Sequence, residues 1–332
     1  MSNRIRRARR SSLLATTALA LPATLVLMGG VGTASADTGS VYFDSNLNAA
    51  AGKSLFNGTF TGSANAALGY DVMPNLTTGS NNTGIGYAAL SANTSGGNNV
   101  AAGYFALSSN TTGATNTATG YSALTFNTTG NGNVADGYSA LALSTSGHDN
   151  VAAGFDALFN DTTGFGNVAT GTNALTTNDI GSNNVASGFS ALSANTGGNR
   201  NLAAGYRALA ANTTGSSNLA LGPGAGADLT TGSNNVDIAS PGVAGEAKKI
   251  RIGTPGTQNG AFIAGISGKS ISGPAQPVVV NSQGQLGTAT AATSKFGPSA
   301  AGSAAAKLRA QNRRQSRQIA ALKRKVGRLA RR

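Results

Sequence analysis

Between Asn65 and Ile238 the order of apolar and polar positions repeats every seventeen residues. The unit from Asn99 begins Asn-Val-Ala-Ala-Gly-Tyr-Phe-Ala-Leu and closes on eight mostly polar residues, Ser-Ser-Asn-Thr-Thr-Gly-Ala-Thr. Asn99, Gly103, Tyr104, Leu107 and Gly113 then recur as Asn116, Gly120, Tyr121, Leu124 and Gly130. The segment Asn-Val-Ala-x-Gly has the character of a short strand. The two glycines and the Asn-Thr-Thr-Gly corner predict turns, because Gly and Asn tolerate left-handed backbone angles. The leg from the aromatic residue through Leu107 fits either a second strand or a single helical turn.

Asparagine holds its column without exception from Asn65 to Asn235, and glycine does the same from Gly69 to Gly222. No insertion breaks the period, which implies a regular stack rather than loosely joined modules. Seventeen residues cannot bury a core alone and are too few for a helix pair. The fold class predicted is therefore all-β: a solenoid or β-roll of about ten coils, each laying its strand beside the next. Residues in one slot then form ladders at about 4.8 Å spacing. Leucines from Leu90 to Leu209, with the alanines before them, are expected inside. The row from Tyr70 to Tyr206 is expected to stack, and the asparagine column to share amide hydrogen bonds. The slot of Ala102, Thr119 and Asp136 is expected to face water.

The flanks read differently. Residues 1–36 carry five arginines in the first ten positions, an apolar run and Ala34-Ser35-Ala36, the layout of a secretory signal peptide cleaved after Ala36. The alternative is an uncleaved anchor from Leu13 to Val31. Secretion or display at the cell surface follows from either. An N-terminal cap is expected over 37–64 and the repeat over 65–238. A β-rich neck follows over 239–292, a linker over 293–303 and a basic helix over 304–332. In that helix a heptad places Ala305, Asn312, Ile319 and Val326 at one core position, and Leu308, Gln315, Leu322 and Leu329 at the other. The pattern fits a coiled coil, with a single amphipathic helix or a disordered arm as the alternatives.

Charge sharpens this division. Formal net charge is +13, yet from Ala49 to Ile238 three basic residues face eight aspartates, whereas the last 33 residues hold 11 basic residues and no acid. A mildly acidic body thus carries a strongly basic tail. Its expected partner is an anionic cell-wall polymer or membrane surface; the bases lack interleaved aromatics, so nucleic acid is not expected. The chain has no cysteine and one histidine, His148, which leaves disulfides and a clustered metal site without ligands. Two Gly-Lys-Ser strings, at Gly52 and Gly268, lack the upstream glycine of a phosphate loop. Asp136, Asp149, Asp156 and Asp161 fall in different slots with no calcium-loop spacing. Asn93, Asn110, Asn127 and Asn212 begin glycosylation triplets, relevant only in a pathway that uses them. No catalytic residue, cofactor or metal is therefore expected.

The Asn-Val-Ala-x-Gly-Tyr-x-Ala-Leu column resembles the head repeats of trimeric autotransporter adhesins. With the Asn-Thr-Thr-Gly corner and the stretch Ser240–Thr288, it is similar to bacterial surface and phage-tail-fibre-like repeat proteins. That resemblance implies a homotrimeric fibre. Such proteins usually continue into an endosialidase-type intramolecular chaperone domain; here Thr293–Pro298 stands where that domain would begin and a coiled-coil-like end follows, so self-cleavage is not carried over. The function expected is non-catalytic attachment to surfaces or an unknown receptor. The alternatives are an ice- or crystal-binding solenoid, suggested by the threonine row from Thr77 to Thr162, and a remnant of a phage fibre.

Overall fold

The structure, a computed structural model, describes residues 41–56, 58–263, 278–288 and 300–329. The expected signal peptide and most of the expected linker lie outside them. The chain divides into two units, Met1–Asn259 and Gly260–Arg332.

The first unit is a β-solenoid of about twelve turns. Its single sheet has fourteen strands in sequence order. β1 (Val41–Phe43) runs antiparallel to β2 (Ala49–Lys53). From β2 every neighbour is parallel: β3 (Ala66–Tyr70), β4 (Thr83–Tyr87), β5 (Val100–Ala102), β6 (Thr117–Thr119), β7 (Val134–Asp136), β8 (Val151–Ala153), β9 (Val168–Thr170), β10 (Val185–Ser187), β11 (Leu202–Ala204), β12 (Leu219–Leu221) and β13 (Val236–Ile238). The pairing Ala101↔Ala118↔Ala135 shows the seventeen-residue register directly. β14 (Ile250–Ile252) closes the series on a coil three residues shorter, with Val236 beside Ile250. The ladder thus extends past both ends of the expected 65–238 repeat, into the cap through β2 and into the neck through β14.

Three apolar columns make the core. The central strand alanines (Ala101, Ala118, Ala135), the second alanines (Ala106, Ala123, Ala140) and the leucines (Leu107, Leu124, Leu141) are all fully buried. The interior is so narrow that a small residue must face a large one on every coil, and the period keeps that match.

The aromatic-to-leucine leg is neither a second strand nor a helical turn. Its backbone alternates into the left-handed region at Phe105 (φ 57°) and Leu107 (φ 51°), and the same slots repeat this at Ser122 and Leu124. Consecutive helical angles are thereby excluded. Coil-to-coil bonds such as Leu107 N–H to Ala123 O at 3.0 Å hold the leg instead. A left-handed leucine costs about 1–2 kcal/mol; the burial of its side chain, about 1.5–3 kcal/mol, offsets that.

Both ends are closed by charge. At the N-terminal end Asp44 takes the place of a preceding asparagine: Asn48 Nδ2 donates to its Oδ2 at 2.9 Å and Asn48 N–H to its Oδ1 at 2.8 Å. Burial works to raise the Asp44 pKa, but the hydrogen bonds from Asn48, Tyr42 and Asn46 prevail and lower it. Tyr42, Phe56 and Phe60 pack over this end. At the other end Asp237 stands in the alanine slot, in register with Arg251, which forms a paired contact with Glu246 at 2.7 Å through both Nε and Nη2.

The second unit contains a hairpin of β15 (Val278–Val280) and β16 (Leu286–Thr288), and α1 (Ala300–Leu329). The helix starts four residues before the expected 304 and so takes in the end of the expected linker. Among its coiled-coil positions Leu308, Asn312, Gln315 and Ile319 are exposed. The side chains of Leu322, Val326 and Leu329 lie outside the described set.

Candidate functional site

The solenoid presents parallel rows of identical side chains, and each row has its own chemistry. Two asparagine rows are interior. In the first, Asn99 Nδ2 donates to Asn82 Oδ1 at 3.1 Å and to Gly113 O at 2.9 Å, while Asn116 N–H and Nδ2 donate back to Asn99 Oδ1. The amide donors and acceptor of Asn99 are thereby matched, which offsets the desolvation cost of burying it. The second row comprises Asn93, Asn110 and Asn127, then Ser144 and Asp161, then Asn178, Asn195 and Asn212. Its intact steps join Asn110 Nδ2 to Asn93 Oδ1 at 2.9 Å and Asn195 Nδ2 to Asn178 Oδ1 at 2.7 Å. Four of them, Asn93, Asn110, Asn127 and Asn212, read in the sequence as corners and as glycosylation triplets. They are fully buried, so the folded coil offers none of the four as a sugar acceptor.

At Ser144 this row fails. The serine is too short to reach either neighbour, and Asn127 Oδ1 and Ser144 Oγ are buried without partners. One coil on, Asp161 is fully buried and accepts from Asn178 Nδ2 at 2.6 Å and Asn150 Nδ2 at 3.2 Å. Burial pushes its pKa up to about 7; the Asn178 hydrogen bond opposes this and the nearby Asp179 charge adds to it.

Outside, Tyr70, Tyr87, Tyr104, Tyr121, Tyr138 and Phe155 form a continuous stack, with ring centroids 4.9–5.3 Å apart and planes within 12°. Thr172 interrupts it, and Phe189 and Tyr206 resume at 5.7 Å. Ala102, Thr119 and Asp136 lie on the outer strand face, beside the half-exposed valine row. The threonine row is committed to structure. Thr94 Oγ1 donates to Thr111 O at 2.9 Å, and Thr111 and Thr128 repeat the bond. A crystal-binding face needs those hydroxyl donors turned outward.

The residues weighed for chemistry are placed singly. Gly52 and Lys53 lie in β2, so the first Gly-Lys-Ser string is strand rather than phosphate loop; the second lies outside the described residues. His148 stacks on Phe165 with centroids 5.1 Å apart, and its Nδ1 is 2.9 Å from Asp149 Oδ2. Asp136 accepts a hydroxyl bond from Thr119, and Asp156 stands in a left-handed slot. Among the described residues no three His, Cys, Asp or Glu side chains come together as a metal site, and no helix is long and apolar enough to cross a membrane.

One surface feature escaped the repeat consensus because it lies where three rows deviate together. Phe165 (corner row), Ile180 (the slot after the threonine row) and Arg200 (the slot before the ladder asparagine) border an open depression of about 480 Å³ with Ser182, Asn183 and Ser217. The only signal in the sequence is departure from consensus on adjacent coils. Compared with protein-family models and with curated proteins, the chain matches none.

Proposed function

We propose that this chain is an exported, non-catalytic fibre that assembles as a homotrimer and attaches to surfaces through its solenoid. The observation that carries the reading is the state of the large apolar residues beyond the regular coils. Ile250 and Ile252 at the last rung are each 74% exposed, and Phe262, Ile263, Val278, Val280 and Leu286 are exposed too. Taken unit by unit, large apolar side chains left this exposed are what the surface of another chain would cover. A second and third copy satisfy it, because each brings the same segment, and identical chains pair through self-matching surfaces. The exposed Leu308 and Ile319 fall on the heptad and extend that logic into α1.

The basic helix gives the fibre its second contact. Lys307, Arg309, Arg313, Arg314 and Arg317 are exposed on α1, and an array of cations without acids attracts polyanionic wall polymer or anionic lipid. Non-catalytic action is supported by how the chemically able groups are used. Asp161 and the amides serve the ladders, Asp44 and Glu246 close the ends, and His148 stacks on its neighbour. The ice-binding alternative is disfavoured by the threonine hydroxyls that donate to the next coil.

Sedimentation of residues 37–332, with and without the tail from Ala300, tests the assembly. The expected result is three times the chain mass for the longer form. A monomer in both forms would remove the trimer and leave a single-chain solenoid.

A further inference from the structure

We propose that the depression around Phe165 and Arg200 is a binding site for a pyranose that carries a carboxylate. This rests on the reading of the solenoid as an attachment surface and supplies its ligand class.

The row geometry creates the site. Rings on this solenoid stack along its axis, so each presents one face to the coil before and one to the coil after. Phe165 has one face covered by His148, with the planes 7° apart. On the other side the next residue of its row is Ser182, whose Oγ accepts the Phe165 N–H at 3.2 Å. No ring stacks there, and Phe165 stays 43% exposed. An aromatic face open above a small residue is a platform for the C–H face of a sugar ring. Ile180, exposed in a row otherwise held by Thr or Ser on the coils before it, forms the adjoining apolar wall. The following residue of that row is Gly197, so no side chain rises beyond it.

The opposite wall is polar. Asn183 and Ser217 are exposed, and no hydrogen bond occupies their side chains among the described residues. Arg200 stands at φ 57° in the same row. Its guanidinium has no ion-pair or hydrogen-bond partner among the described residues, and Arg200 and Arg207 are the only lysines or arginines from Asn65 to Ile238. A planar five-donor fork beside an aromatic face matches a ring that is apolar on one face and bears a carboxylate at its edge. The nearest acid in sequence, Asp179, is engaged by the Thr162 hydroxyl at 2.6 Å. The depression has room for a sugar ring.

Saturation-transfer NMR on the full chain tests the site, with methyl glucuronide and methyl glucoside as probes. Two substitutions copy residues that other coils carry in the same slots and so keep the backbone: Arg200→Asn, as at Asn183, and Phe165→Ser, as at Ser182. The glucuronide is expected to bind about tenfold more tightly than the glucoside. Arg200→Asn removes that preference, and Phe165→Ser abolishes both signals. An oligo-uronate that binds more tightly than the monosaccharide assigns the source to a polymer; equal affinity assigns it to the free acid. Absence of transfer from both probes, or an unchanged preference in Arg200→Asn, overturns the proposal. A monomer that still prefers glucuronide loses only the fibre assembly, and a trimer that binds neither sugar loses only this site.

Discussion

Gly120→Ala is expected to destabilise the solenoid by several kcal/mol, about 3 or more. At Gly120 a methyl group would lie 2.4 Å from Gly137 O and 2.8 Å from Gly137 C, and the backbone sits at φ +125°, a region L side chains rarely adopt. The obstruction is backbone, so no rotamer relieves it. Neighbouring coils meet closely here because Gly120 N–H donates to Ala102 O at 2.9 Å and Gly137 N–H to Thr119 O at 2.9 Å. Each coil contacts only its neighbours, so forcing one pair apart interrupts cooperativity along the axis. Thermal unfolding followed by circular dichroism should show a much lower or divided transition. Thr170→Val, in the same outer slot as Thr119 and with no hydrogen bond from its hydroxyl, should stay within about 0.5 kcal/mol of the parent. A Gly120→Ala transition as high as that control would contradict the close-contact account.

The second large effect is a dependence of stability on pH that Asp161→Asn removes. Burial raises the Asp161 pKa from 3.8 to about 7 in the folded chain. The folded state therefore holds this proton more tightly than the unfolded state does. Its contribution is fully present below about pH 4 and is lost as pH rises through about 7, with little change beyond. Three units correspond to about 4 kcal/mol. Asp237, raised by burial and then by the Glu246 charge, acts in the same direction. Asp44 and Glu246, both lowered, act oppositely and lose their contribution only in acid. Asp161→Asn isolates the one group, since its amide can accept from Asn178 with no charge to bury. The variant should match the parent near pH 4 and exceed it at pH 8. Equal stability at pH 8 would show that the carboxylate is not held in the interior.

Much of this fold was legible because a stacked coil writes its geometry as columns. The strand, the inward alanines and leucines, the tyrosine stack and the first asparagine ladder each follow from one residue type at one spacing. The second leg was not legible. Phe105 and Leu107 carry no propensity for left-handed angles; packing of the leucine imposes them. Yet Asn173, Asp156 and Gly224, in the slot of Phe105, did carry a turn signal. The second ladder was hidden by its corner: Asn-Thr-Thr-Gly reads as a turn, and only the closed coil shows that the asparagine points inward. The candidate sugar site was invisible for the opposite reason. A consensus averages away Phe165, Ile180 and Arg200, which come together only once the register is known.

The central claim is that successive coils stack in register along one axis at a constant step. The chain has no native cysteine, so spin labels can be placed in pairs on the outer strand slot and measured by pulsed electron resonance, diluted into unlabelled protein. Ala102 and Ala204 lie six coils apart and Leu68 and Ile238 ten, so distances of about 29 Å and about 48 Å are expected at the strand spacing. Distances that fail to grow in that proportion, or two broad overlapping distributions, would contradict the solenoid.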